Sequence, residues 1–409
     1  MTSPPLRLPG EHFAAAMCFL VAGALGVVWV GPTLAVGAYA SPHVVGVTHL
    51  FTLGWLTTSI MGALYQFLPV ALGQPIASER VAHATFALHV PGVTMFVLGV
   101  MRGNGALLLG GIATLVTGLV LFLANLGVTL RRAERRNVTW WAISGAAVFL
   151  GVTLVLGAAL GVNLRTGFLG GVRPLALGTH LHIALAGWVL LVMVGVSQRL
   201  LPMFLLSHGG REHFAKYAVA LLGSGAAMLS VLHHLPVVGR ELPALCIAAG
   251  VVAFLLQARE FYRRRHRPAL DPGLRLAAAA LGMLALAPPV AAVVLAGGGT
   301  ASVDTAYVML VVLACALFVA AHFYKIVPFL VWNRHFGPLA GTRPLPRVAD
   351  LYSQPVANGA TALLVVGVAT LVVSVGAGIA PAVRVGGVVF AAGVVTESAQ
   401  MFAIARQRP

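Results

Sequence analysis

Two stretches decide how this chain is read: HLFTLGWLTTSIMGALYQFLP from His49 to Pro69, and HIALAGWVLLVMVGVSQRLLP from His182 to Pro202. Each is an apolar run long enough to cross about 30 Å of hydrocarbon as a helix. A constant offset of 133 superposes His49 on His182, Gly54 on Gly187, Trp55 on Trp188, Gly62 on Gly195 and Pro69 on Pro202. Five such matches in two apolar runs mark an internal repeat. A third segment, HFYKIVP (322–328), shares the terminal proline and the polar pair before it at a shift of 126 from the second stretch. Tyr65-Gln66, Gln198-Arg199 and Tyr324-Lys325 correspond, and Val308 stands where the other two have histidine.

Composition places these runs in a membrane. Of 409 residues, 59 % are apolar and only 9 % charged, with a mean hydropathy of +0.95. A soluble surface needs about 25 % charged residues. Spans are read near 12–35, 42–72, 81–101, 105–130, 139–162, 175–205, 216–235, 242–258, 274–297, 303–332, 356–379 and 382–405. The first lacks a small-residue cleavage site soon after it and is read as a retained helix. The repeated runs are spans two, six and ten. The expectation is therefore an all-α integral membrane protein of twelve transmembrane helices. These form a single membrane domain, 1–409, in three four-helix pseudo-repeats of approximately 1–136, 137–267 and 268–409.

Twenty-six basic residues against ten acidic ones give +16. The arginines cluster in alternate loops: RRAERR (131–136), REFYRRRHR (259–267), and Arg334, Arg343 and Arg347. That is the positive-inside pattern, not a nucleic-acid face, and it puts both termini in the cytoplasm. The expected home is the bacterial cytoplasmic (inner) membrane, with the lipid bilayer as partner and no nucleic acid. Cys18, Cys246 and Cys315 are scattered through apolar runs, which excludes a disulfide framework, a CxxC zinc site and a CxxCH haem attachment.

Fourteen histidines in so apolar a chain are the informative excess. With this topology His49, His180 and His182 lie roughly 8–10 Å below the outer boundary. His233-His234, closing span seven, reach the same stratum. Neutral imidazole is a ligand for haem iron and for copper, and an ionisable side chain inside a membrane marks a functional site. His180 and His182 are about 200° apart on a helix, so only one can face the bundle centre. His233 and His234 can join one metal only if the helix frays, which Pro236 favours. A plain interhelical hydrogen bond is the alternative for His49 and His182, and an interfacial pair touching lipid headgroups is the alternative for His233 and His234. His43 is read at the outer rim, His83 and His89 as interhelical hydrogen-bonding groups, and His322 as a separate site or a packing residue. His12, His208, His213, His266 and His335 are read as solvated at ends or in loops.

Twelve spans, a histidine early in spans two and six, and HHLPVVG (233–239) resemble subunit I of the haem–copper oxidase and nitric oxide reductase superfamily. The segment THLFTLGWLTTSIMGALYQFLP resembles most the nitric oxide reductases and cbb-type oxidases. The resemblance implies His49 as an axial ligand of a low-spin haem. It implies His182 or His180, with His233 and His234, as ligands of a non-haem copper or iron. The family's tenth helix carries two histidines, whereas 303–321 here has none, and no tyrosine follows the histidines of span six. The chain is thus similar to a divergent short relative, such as the NnrS type of nitric-oxide-response proteins or uncharacterised subunit I homologues, without a complete oxygen-reducing centre.

The expected function is a haem- and/or copper-binding membrane redox protein, with a b-type haem. It would act in electron transfer or in nitric oxide or oxygen chemistry, with a cytochrome c, a cupredoxin or another respiratory subunit as partner. With haem, His49 and His182 are pseudo-symmetric axial candidates; with copper or iron alone, His180 or His182 joins His233 and His234. A membrane transporter or a non-catalytic subunit of a respiratory complex is the alternative.

Overall fold

The computed structural model describes residues 6–208, 210–232, 239 and 241–409. Every span expected from the apolar runs is a helix. They are α1 (Arg7–Ala35), α2 (Pro42–Leu72), α3 (Glu79–Arg102), α4 (Gly105–Arg132), α5 (Val138–Thr166) and α6 (Gly170–Leu205). Then come α7 (His213–Leu232), α8 (Glu241–Arg263), α9 (Pro272–Gly297), α10 (Ala301–His335), α11 (Gln354–Gly376) and α12 (Ala380–Ala405). All twelve are long and apolar enough to cross a membrane, and no strand occurs among the described residues. Helices are what hydrocarbon demands, because each must satisfy its own backbone polar groups.

Local chemistry sets the ends. Ser78, Asn104, Asn137 and Thr300 each accept a backbone N–H three residues on, opening α3, α4, α5 and α10. Gly73, Gly103 and Gly167 close α2, α3 and α5 in the left-handed conformation. Helix α9 is interrupted at Ala285-Leu286, just ahead of Pro288-Pro289.

By contacts the chain divides into two units: Met1–His12 with Thr57–His266, and Phe13–Leu56 with Arg267–Pro409. In the first unit, α3 and α4 meet through Gly99 and Gly111, where a Cβ would lie 2.4 Å from a backbone nitrogen of Leu108 and of Phe96. Gly225 and Gly250 bring α7 and α8 together in the same way. In the second unit, Gly367, Gly386 and Gly393 do so for α11 and α12. Small residues let helix backbones approach closely where lipid supplies no hydrophobic drive.

Three helices stand out by burial. The most apolar windows of α2, α6 and α10 are 67 %, 72 % and 83 % buried, against at most 44 % for any other helix. Those are the three runs that the sequence offset singles out.

Candidate functional site

Helix α2 is built in three pieces. Pro42–His49 is α-helical, capped by Ser41 and started by Pro42. Leu50–Thr57 is a π-helix, and α-geometry resumes at Thr58. Helix α6 repeats this: Arg173–His182 α-helical, Ile183–Leu190 π-helical, then α-helix from Leu191. The two π-segments have equal length and are separated by 133 residues, the offset at which the sequences superpose. π-Helical turns are rare and recur at functional sites. In both helices a histidine immediately precedes the π-segment.

Each of these histidines is fixed in the same way. His49 Nδ1 lies 2.7 Å from the Val45 carbonyl, and His182 Nδ1 lies 2.8 Å from the Gly178 carbonyl. A carbonyl oxygen only accepts, so Nδ1 carries the proton and donates. The tautomer is thereby set, and Nε2 holds the lone pair. A ligating histidine commonly uses this second-shell bond to orient its ring and raise its basicity. His180 turns differently: it packs on Gly157 of α5, its Cε1 2.9 Å from where a Cβ would stand. The glycine makes room for the ring.

The residues that follow complete the pattern. Gly54 meets Phe19 and Gly187 meets Phe149, with an added Cβ at 2.6 Å and 2.7 Å from the nearest ring or Cβ atom. Trp55 and Trp188 are both fully enclosed. In the second unit the Trp55 indole N–H donates to the Ala316 carbonyl at 3.2 Å, and its ring lies 4.8 Å from that of Phe323. In the first unit the Trp188 indole donates to Thr57 Oγ1 at 3.3 Å. The repeated spacing His-x4-Gly-Trp thus encodes one local device twice: an oriented imidazole, a close helix approach, and an anchored indole.

Beside His49, its chain neighbours Thr48 and Phe51 line a small apolar cleft in the second unit, with a cavity volume of about 40 Å³. Val27, Val44, Val308 and Met309 lie on its walls. Val308 is the position where the repeat would carry a histidine, and here it supplies apolar wall instead. Two neutral imidazoles with fixed tautomers, one bordered by an apolar cleft, fit haem iron or copper in their donor chemistry.

The remaining sequence expectations divide. His233 and His234 lie outside the described residues, so the set of His180 or His182 with that pair has no geometry here. Among the described residues no group of three or more His, Cys, Asp or Glu side chains is placed to hold a metal ion. His43 is exposed at the end of α2, edge-on to Trp29. His83 makes an interhelical bond, its Nδ1 2.6 Å from Glu11 Oε1. His322 is buried and donates from Nδ1 to the Phe318 carbonyl at 2.7 Å.

Two readings need correction. His12 is not solvated: it is 1 % exposed, donates to the Leu8 carbonyl at 2.8 Å, and sits between Tyr65 and Phe86. It lies only one turn and a half into α1, but α1 is already enclosed there. His213 and His335 are half-buried, whereas His208 and His266 are exposed as expected. Glu397 of α12, to which the sequence reading gave no role, is fully buried. The signal was a single acidic residue in the apolar run FAAGVVTESAQMFAIA.

Outside the spans, the turn before α11 is an electrostatic clasp. Asp350 accepts from Arg347 N at 3.0 Å, from Nε at 3.1 Å and from Nη2 at 3.0 Å. The Arg347 guanidinium and backbone hold the Asp350 carboxyl below the usual aspartate range. Burial pushes the nearby Tyr352 phenol up, so it stays protonated at neutral pH.

No protein-family model matches the chain, and no curated protein does.

Proposed function

We propose that this chain is a membrane redox protein resembling subunit I of the haem–copper oxidases, and that His49 and His182 are its axial or metal-ligating imidazoles. One observation carries the reading: the same module of oriented histidine, π-segment and buried tryptophan, repeated 133 residues apart. His12 and His322 make the same bond to the fourth carbonyl back; what sets His49 and His182 apart is the rare π-geometry and the buried tryptophan that follow them in both copies. The glycine-packed pairs α3/α4, α7/α8 and α11/α12 fall at equal places in three four-helix pseudo-repeats and support that organisation. The arginine-rich loops support a cytoplasmic position for both termini in a bacterial inner membrane.

Haem or copper bound at these imidazoles would supply one-electron chemistry. The protein's own residues do the rest. The Val45 and Gly178 carbonyls hold the rings and keep the proton on Nδ1. Trp55 and Trp188 pin the π-segments, so each histidine keeps its orientation. The apolar walls beside His49 keep water away and lower the local dielectric. A cytochrome c, a cupredoxin or another respiratory subunit would exchange electrons at the outer surface.

Optical spectra of the purified protein, oxidised and then reduced with dithionite, test this together with metal analysis. A Soret band or stoichiometric copper, lost in His49→Ala or His182→Ala, is expected. A colourless, metal-free preparation from haem-replete, copper-replete cells overturns it.

A further inference from the structure

Glu397 is the one acidic residue of α12. Its side chain is 0 % exposed, and neither carboxyl oxygen has a hydrogen-bond partner among the described residues. It stands about 12 Å from the C-terminal end of the helix, well inside the apolar span. An ionised carboxylate at such a depth without a paired cation is heavily penalised, and the group neutralises instead. Among the described residues Glu397 has no ion-pair partner; Lys325 and Arg267 of the same unit face Asp271 instead, the latter at 3.3 Å.

What surrounds Glu397 within the second unit is a trail of polar groups. Among the described residues Ser398 Oγ is buried without a hydrogen-bond partner, and so is the Tyr324 hydroxyl of α10. Tyr324 lies within electrostatic reach of Glu397. Its ring is 5.4 Å from that of the half-buried Tyr352. Tyr352 in turn feels the charges of Asp271 and Arg267 at the start of α9. Helix α11 brings no titratable side chain, and in this unit α1 brings only the exposed Cys18. The trail therefore has one open end, at the arginine-bearing rim, and one closed end, at Glu397. Buried polar atoms left unpaired are costly, so four of them close together are poor packing but good footing for water and protons.

We propose that Glu397 is a proton-binding site, loaded and emptied through Tyr324 and Tyr352 from the rim formed by Arg267, Asp271 and Lys325. On discharge the carboxyl O–H bond breaks and its electron pair stays on the carboxylate. The proton passes toward the phenols, each accepting one proton on oxygen as it gives up another. Reloading reverses every step, and no oxidant or reductant takes part. The site does not depend on haem or copper.

Infrared spectroscopy of the full-length protein at neutral pH reads the site directly. The expected result is a protonated-carboxyl C=O band that shifts in D2O and is missing from Glu397→Gln. Dicyclohexylcarbodiimide, which attacks protonated carboxyls in apolar surroundings, is expected to label Glu397 in the wild type and not in that variant. Tyr324→Phe should keep the band but slow its H/D shift. Where Glu397→Gln does not accumulate, Glu397→Asp must move the same band. Only a carboxylate signal, or a band unchanged by both substitutions, overturns the proposal. So does a protonated band converted to carboxylate by added Na⁺ or K⁺, which would make this a cation site. An H/D shift unaffected by Tyr324→Phe overturns the route.

Discussion

The Trp188 indole N–H donates to the hydroxyl of Thr57, 131 residues earlier, at 3.3 Å, and both side chains are buried. The bond joins the end of one π-segment to the interior of the other helix of the repeat. In a double-mutant cycle of Trp188→Phe and Thr57→Val, measured by thermal or denaturant unfolding in detergent, the coupling should be about 0.6 kcal/mol, the usual size for an interhelical bond in lipid. Additive single effects would show that the pair is not a working bond.

Gly54 and Gly187 should tolerate no side chain. An added Cβ meets the root of Phe19 or Phe149, not the free end of a flexible chain. Gly54→Ala and Gly187→Ala should each cost about 1–3 kcal/mol by overpacking. Gly127→Ala, where nothing lies within 4 Å of an added Cβ, is the control. It should be neutral or stabilise by up to about 1 kcal/mol. Equal melting temperatures for all three variants would contradict the close approach.

Asp271 has two duties. Its Oδ1 caps α9 by accepting from Leu274 N at 3.1 Å, and Oδ2 faces Lys325, the two side chains being 15 % and 14 % exposed. Asp271→Asn keeps a capping oxygen but leaves the Lys325 charge without this counterion. The pair is only partly buried, so breaking it should cost less than breaking a fully buried one, which costs about 3–5 kcal/mol, and Asp271→Ala should add about 1 kcal/mol for the lost cap. Lys325→Met, which removes the charge as well, should recover much of the loss in the Asp271→Asn background. Failure of that rescue would place the cost elsewhere.

The Arg347–Asp350 clasp should be pH-dependent in one direction. The folded carboxyl lies below its unfolded value. Its contribution is therefore present above the ordinary aspartate pKa of about 4 and is lost as pH falls through the lower folded value. Protection of the Asp350 amide, which donates to the Arg347 carbonyl at 2.9 Å, should be constant from neutral pH to about 4. Below that it should converge on the value of Asp350→Asn. Protection that is identical in the two proteins at neutral pH would refute the clasp.

Some of this was legible in the chain before any coordinates. The spans were plain because each must carry about 20 apolar residues to cross the hydrocarbon. His49 and His182 were plain because a lone imidazole in such a run has few reasons to be there, and the 133-residue offset named both at once. The π-geometry after them was hidden. It leaves no mark on composition, since a slipped hydrogen bond uses the same apolar residues. His12 was misjudged because nearness to a chain end says nothing about which helices cover it. Glu397 is a solitary acid in an apolar run, but the sequence reading passed over it, and only the burial of both its oxygens gave it meaning.

Length, apolar run length and charge asymmetry by themselves determined twelve membrane-length helical spans, because a bilayer admits only helices or closed barrels and runs of about 20 apolar residues are too long for barrel strands. Which imidazoles are locked in one tautomer, which indoles anchor the slipped turns, and which carboxyl lies without a counterion were decided only by packing. The imidazoles are turned by carbonyls only four residues back, but the indoles hold atoms 131 and 261 residues away, Thr57 for Trp188 and Ala316 for Trp55, and a linear pattern holds no record of such distances.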